Sequence, residues 1–244
     1  MEENTLLHVQ NLYKSFGKNE VLKNFNLQLC KKQNIVVLGK SGSGKSVLIK
    51  CIIGLLKPDA GEIYLFNENI KKLSPKSLDK LRIRIGFLFQ SNALYDSMTV
   101  KENLEFPLRR HWISYSKKEV SQKINQALAD VGLAFTLNMM PDELSGGMRK
   151  RIALARALIM EPEIILYDEP TTGLDPITSK EIIKLINNIK NKYGTAALII
   201  SHDMNCVKLT SDLVAVLHEG KCYAIGTYNE LKEKEDIKIR EFFE

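Results

Sequence analysis

Residues 35–46 read IVVLGKSGSGKS. The first four are apolar without alternation, the pattern of a short strand buried on both faces. The next eight form a complete G-x-x-x-x-G-K-S, and the helical run VLIKCIIGLL at 47–56 follows. Strand, glycine-rich loop and helix in that order predict a phosphate-binding loop, or P-loop. Gly39, Gly42 and Gly44 permit backbone angles closed to other residues and let amide N–H groups approach an anion. The helix that follows turns its positive end toward the same point. The nucleotide-binding cradle so predicted runs through Gly39, Lys40, Ser41, Gly42, Ser43, Gly44, Lys45 and Ser46 to Val47. Lys45 is expected to contact the β- and γ-phosphates, and Ser46 to give its hydroxyl to Mg2+. A chance glycine turn before a helix would not bring strand, Lys-Ser pair and helix together in this order.

Further apolar runs without alternation lie at 85–89 (IGFLF), 164–167 (IILY) and 196–200 (AALII). Between them come segments of helical period: Ile182, Ile186 and Ile189 at i, i+4, i+7, and Val120, Ile124, Ala127 and Val131 on a similar face. Such alternation predicts an α/β fold with a parallel-sheet core flanked by helices. The first thirty residues and 60–66 are expected as strands of a smaller antiparallel sheet, and so is 212–227, with Glu219-Gly220-Lys221 as its hairpin turn. Residues 91–158 hold helical patterns and no convincing buried strand, so they are expected as an inserted helical subdomain. The tail, 228–244, reads as helix, with Ile239, Phe242 and Phe243 placed to pack on a partner or, the simpler expectation, on the domain itself. The expected division of this single domain, 1–244, is a nucleotide-binding core (1–90 and 159–227), the helical subdomain (91–158) and the tail.

The 244 residues carry a net charge of +6. An excess of this kind fits nucleic acid, an anionic membrane surface or simply a Lys-rich solvated surface. No interleaving of aromatic and basic residues marks a single-strand binder, and no nucleic-acid partner is expected. No stretch approaches the roughly 18 apolar residues of a membrane span. The polar start MEENTLLHVQ does not read as a signal peptide. Cys30, Cys51, Cys206 and Cys222 lack paired spacing and read as reduced thiols in a cytoplasmic protein.

Ligand sites in open parallel sheets lie beyond the carboxyl ends of the strands. IILYDEP puts Asp168 and Glu169 there. Asp168 is the natural holder of Mg2+, directly or one layer out, and Glu169 could polarise a water for attack on the γ-phosphate. Without the P-loop, a solvated Asp-Glu pair before a turn would be the simpler reading. Gln90 ends IGFLFQ, and its neutral amide can touch both metal and water. His202 follows the run ending in Ser201; a lone histidine is more often structural, but this one ends a strand of the same sheet.

A second glycine turn stands at 144–151, LSGGMRKR. Ser145 offers a hydroxyl, Gly146 and Gly147 offer uncrowded N–H groups, and the helix opening there adds its dipole. An ordinary serine N-cap accounts for part of this pattern. Taken with Phe16 in YKSFG, GKSGSGKS, Gln90, IILYDE, GLD at 173–175 and His202, the chain resembles the nucleotide-binding subunit of an ABC transporter over nearly its whole length. The resemblance implies a P-loop NTPase of the ABC ATPase type, hydrolysing ATP with Mg2+. It implies a head-to-tail dimer with a second copy, each ATP held by the P-loop of one subunit and the LSGG turn of the other. By the same likeness Phe16 stacks on adenine, Glu169 is the base, His202 meets the γ-phosphate and Asp175 communicates across the dimer. Lys45 and Gln90 complete the expected catalytic set; Ser46, Gln90 and Asp168 are the expected metal holders.

LFQSNALYDSMTV, SGGMRKR and GLDPITS look most like the Mla-type phospholipid transporter ATPase. That likeness implies an integral membrane permease and a peripheral position on the cytoplasmic face of the inner membrane. It leaves open a small accessory subunit and a lipid-binding protein. The same fold also serves amino-acid importers and cell-division complexes. Met148 stands where the common signature has Gln, and Val47 where many members have a second hydroxyl, leaving its backbone N–H for the phosphates. Phe16 replaces the commoner Tyr and still stacks. A chromosome or repair ATPase would need long coiled-coil arms between Ser46 and Leu144, and no sustained heptads occur there. A translation-factor ATPase would normally hold two such cassettes in one chain. A non-hydrolysing regulatory module would lack Glu169 or His202.

Overall fold

The strands that were expected from apolar runs form one sheet whose carboxyl ends meet. In this computed structural model, residues 4–110 and 114–243 are described. Residues 1–3, 111–113 and 244 lie outside them; these are the first residues of the polar start, three within the expected helical subdomain and the last of the tail. The chain opens with β1 (Thr5–Phe16) and β2 (Asn19–Cys30), then β3 (Asn34–Leu38), α1 (Lys45–Ile52), β4 (Ala60–Leu65) and β5 (Glu68–Asn69). It continues with α2 (Pro75–Arg82), β6 (Ile85–Leu88), α3 (Val100–Arg110), α4 (Lys117–Asp130) and α5 (Gly146–Leu158). The last stretch holds β7 (Ile164–Asp168), α6 (Pro176–Tyr193), β8 (Ala196–Ser201), α7 (Met204–Thr210), β9 (Leu213–His218), β10 (Lys221–Gly226), α8 (Tyr228–Lys232) and α9 (Ile237–Arg240).

Six strands lie in the order β10-β9-β3-β8-β7-β6, all parallel except β10. β3 pairs along both edges, with β8 and β9, and its residues are buried on both faces by the layers packed above and below the sheet. Ile35 and Val37 point into one core with Leu48, Ile49 and Ile52 of α1. Val36 and Leu38 point into the other, against Ile182, Ile186 and Ile189 of α6. This two-sided burial is why the run IVVL shows no alternation. Each buried isoleucine contributes about 1.5–3 kcal/mol relative to exposure.

The smaller sheet, β2-β1-β4-β5, is antiparallel and covers the α1 face. A bulge in β1 leaves Asn11 at φ 46° and drives its carbonyl against Gly61 of β4. Gly61 has φ +90°, and a Cβ there would lie 2.2 Å from the Asn11 oxygen. Gly61→Ala is therefore expected to destabilise the fold by about 2–4 kcal/mol, since a backbone clash at positive φ has no rotamer to relieve it. Denaturant unfolding checks this, and an unchanged midpoint would refute it.

Two expectations change. Residues 212–227 form a hairpin, and Glu219 and Gly220 have the positive φ of a two-residue turn. The hairpin extends the large sheet, with β9 parallel to β3, and does not belong to the small one. Its tip only touches that sheet, where the Lys23 N–H donates to the Gly220 carbonyl at 2.8 Å. Alternation identifies a strand but not its partner. The tail is two short helices where one was expected. Thr227 and Glu230 cap the first, and Asp236 caps the second. Ile239, Phe242 and Phe243 pack on the α6 core, as expected.

α3, α4 and α5 enclose a third core, which includes Val100, Leu104, Ile124, Leu128 and Ile152. No strand lies between Ser91 and Leu158 among the described residues.

Candidate functional site

The P-loop leaves β3 at Gly39 and enters α1 at Lys45. Gly42 and Gly44 have φ +76° and +103°. A Cβ at Gly39 would lie 2.6 Å from Ser43 Oγ and 3.0 Å from the Leu217 carbonyl oxygen, so the loop folds tightly on itself. Gly44 caps α1 without a side-chain hydrogen bond, and no acidic residue sits in the first turn. The helix thus presents N–H groups and positive potential to anything held in the loop. Lys45 Nζ donates to the Gly39 carbonyl at 2.6 Å and the Lys40 carbonyl at 3.0 Å. Burial pulls its ammonium below the usual range, against the opposing influence of Glu169 and Asp168. Lys40 points outward and pairs with Glu241 of the tail at 2.5 Å.

One cavity of about 510 Å³ joins the expected residues. Phe16, Ser41, Gly42, Gly44, Lys45, Ser46, Val47, Gln90, Glu169 and His202 line it. A volume of this size suits a small-molecule ligand. The carboxyl ends of β3, β6, β7 and β8 in the large sheet bring these groups to one edge, and Phe16 joins them from the end of β1 in the smaller sheet. Phe16 is half exposed at the end of β1, as a stacking ring must be. A larger opening of about 770 Å³ lies among α4, the end of α5 and Tyr193; none of the expected site residues lines it.

Asp168 ends β7. Its Oδ1 is buried and has no hydrogen-bond partner among the described residues. Burial raises its pKa first and Glu169 second, while Lys150, Lys45 and Lys50 oppose the rise. Glu169 leaves the strand at φ 50°, its N–H donating to the Ile200 carbonyl at 2.9 Å. This left-handed turn is uncommon for glutamate. It sends the buried carboxylate to His202, whose Nδ1 lies 2.9 Å from both carboxylate oxygens. Thr172 Oγ1 donates to Glu169 Oε2 at 3.2 Å. The pairing of Glu169 with His202 was not anticipated, since the sequence separates them and strand alternation says nothing of a residue that leaves the strand.

The unpartnered Asp168 oxygen, the exposed Ser46 hydroxyl and the Gln90 amide are hard donors of the kind Mg2+ prefers. Among the described residues no three His, Cys, Asp or Glu side chains form a cage of their own. That donor set fits a Mg2+ that arrives with phosphates.

Ser145, Gly146, Gly147 and Asp175 stand outside the cavity. Ser145 caps α5, its Oγ accepting from the Met148 N–H at 3.2 Å. Asp175 caps α6, its Oδ1 accepting from the N–H groups of Ile177 and Thr178 at 2.9 and 3.0 Å. The two helix starts adjoin: a Cβ on Gly147 would lie 2.5 Å from Thr178 Cγ2. Gly146 meets nothing and stays open.

Lys150 was overlooked. It is 2% exposed, and Nζ donates to the Gln90 carbonyl at 3.0 Å and the Phe89 carbonyl at 3.5 Å. Burial lowers its pKa to about 8, against the pull of Asp168 and Glu169. Its spacing gave a signal: Lys150 falls on the same helical face as Ala153 and Leu154, an apolar stripe on which a lysine is out of place.

A family model described as ABC transporter matches residues 22–172. The chain is 36% identical to the methionine import ATP-binding protein MetN of Campylobacter jejuni, over 97% of this chain and 75% of that protein. It is also 36% identical to the intermembrane phospholipid transport system ATP-binding protein MlaF of Haemophilus influenzae, over 97% of this chain and 89% of that protein. The dimeric, post-hydrolysis structure of the ATP-binding cassette MJ0796 bound to ADP and Pi superposes with a TM-score of 0.82 at 31% identity. It covers 91% of this chain and 98% of that one. Likeness of that extent, on a chain whose P-loop and strand ends build one cleft, makes this protein a member of the ABC transporter family: an ATP-hydrolysing subunit that takes ATP with Mg2+.

Proposed function

We propose that this subunit powers phospholipid transport between inner and outer membranes through a separate integral permease, lying peripherally on the cytoplasmic face of the inner membrane. Met148 within SGGMRKR and the stretch at 85–109 support the reading, as does the phospholipid-transport relative, matched over 89% of its length. No described helix is long and apolar enough to cross a membrane. A small accessory subunit and a lipid-binding protein belong to the same reading.

The single observation that carries the mechanism is that the chain's own Ser145–Gly147 turn lies outside its own nucleotide cavity. Its open amides and the α5 dipole need a phosphate from elsewhere, and a second copy arranged head to tail supplies one. The MJ0796 cassette is a dimer in its post-hydrolysis state, which supports this assembly. The core (1–90 and 159–227) holds the P-loop, the helical subdomain (91–158) carries the signature turn, and the tail (228–244) follows, with Ile239, Phe242 and Phe243 packed on the α6 core.

Within each site Phe16 stacks on adenine, and the amides from Gly39 to Val47 hold the phosphates. Lys45 moves from the Gly39 and Lys40 carbonyls to phosphate charge. Ser46, Gln90 and Asp168 would hold Mg2+, which neutralises phosphate charge when bound. Glu169 takes the proton of the attacking water, with Thr172 and His202 fixing its carboxylate, and His202 also faces the γ-phosphate. Asp175, beside the signature turn, couples the two sites. ATP in both interfaces favours the closed dimer, because only the triphosphate meets both subunits, and hydrolysis removes that bridge.

Amino-acid import is the second reading, favoured by the methionine-import relative at equal identity. Purification of the chain with its permease, followed by mass spectrometry of bound lipid and by ATPase assay with phospholipid or methionine, separates the two. Co-purified phospholipid and lipid-stimulated hydrolysis are expected; stimulation by the amino acid alone would overturn the phospholipid reading.

A further inference from the structure

A lysine that is 2% exposed must have a reason, because burying an ammonium is strongly unfavourable unless its donors are used. Lys150 uses them on the carbonyls of Gln90 and Phe89, just past the end of β6. Farther along the same helix, Arg156 donates to the carbonyls of Asn92 and Ala93 at 2.9 and 2.8 Å. Asn92 and Ala93 both have positive φ, 64° and 50°, and the Asn92 N–H turns back to the Phe89 carbonyl at 3.0 Å. The segment 89–93 is thus a tight, locally unfavourable turn, held through four of its carbonyls by two cations of α5. The helix that supplies these cations begins at the Ser145 turn.

We propose that Lys150 is a positioning residue for ATP hydrolysis: by tying the Phe89 and Gln90 carbonyls to α5, it makes the Gln90 loop and the signature turn move as one body. Arg156 is the second anchor of that strap. Gln90 therefore enters a site in step with the movement of the signature turn, which caps the N-terminal end of α5 about one turn before Lys150. This rests on the role proposed above for Gln90, and the tether itself is measurable without that role.

The test uses the purified full chain and its variants Lys150→Met, Lys150→Gln and Lys150→Arg. In Lys150→Met, amide hydrogen exchange at 89–93 is expected to speed up at least tenfold, with β7 and the rest of α5 protected as before. Its kcat is expected to fall about tenfold, with KM for ATP changed less than threefold. Lys150→Arg, which still donates, should recover most of both. If Lys150→Met does not fold, Lys150→Gln keeps an uncharged donor and should show the same pattern more weakly. Unchanged exchange at 89–93 in whichever of the two folds, or faster exchange spread evenly through α5 and β7, overturns the proposal. The double variant Gln90→Ala/Lys150→Met should be no slower than Gln90→Ala alone, since the lysine acts through the loop; additive losses overturn that link. Should Gln90→Ala alone hydrolyse at the wild-type rate, the reading of Gln90 falls, and the exchange measurement still decides the tether.

Discussion

Glu169→Gln is expected to bind ATP about as well as the wild type and to lower kcat by at least about 100-fold, the usual scale of general-base loss. The substitution keeps the shape of the side chain. Its amide oxygen can still accept a bond from Thr172 or His202, the two groups that hold the carboxylate. What it loses is the ability to take a proton. It also removes a negative charge beside Asp168, and that charge is the second cause, after burial, of the raised Asp168 pKa. Asp168 in the variant is then more firmly ionised, so nucleotide binding is not weakened through it. With the γ-phosphate uncleaved, the bridge between two copies persists, and the variant should elute as a dimer in ATP while the wild type reverts to monomer. Steady-state turnover, a binding isotherm and gel filtration read these outcomes. Turnover at the wild-type rate would remove Glu169 from the role of base, and a monomer in ATP would count against the shared site.

Lys45→Ala is expected to weaken ATP binding by at least about tenfold, since a hydrogen bond to a charged group is worth about 1.5–3 kcal/mol. The ammonium is pre-placed: it already lies within the loop, on the Gly39 and Lys40 carbonyls. Its removal takes a donor from both carbonyls, of which that of Lys40 keeps the Ser43 N–H at 3.2 Å, and takes a cation from beside Asp168 and Glu169. Two carboxylates then face the incoming phosphates with less compensation, which weakens binding further. Lys40, exposed and paired with Glu241, gives the contrast. Lys40→Ala should change affinity by less than threefold, because a surface ion pair contributes little. Calorimetric titration with ATP checks both, and unchanged affinity in Lys45→Ala would contradict the reading of the loop.

Contiguous residues were enough to predict much of this protein. IVVLGKSGSGKS sets a strand, a turn that only glycines can follow and a helix start, because these depend on neighbouring φ and ψ and on two-sided burial. Once the apolar runs are read as parallel strands, their carboxyl ends must share an edge, and so Gln90, Glu169 and His202 arrive beside Lys45 in one cavity. Tertiary packing decided the rest. Pairing partners are chosen across the sheet, which is why 213–226 joined β3 and not the smaller sheet. The bond between Glu169 and His202 depends on a backbone turn at positive φ after β7, which alternation does not encode. Lys150 meets the Gln90 loop only because α5 packs across the end of β6, joining residues 60 apart in the chain. Local backbone preferences are carried by the residues that express them. A buried charge finds its partner only where distant elements close around it.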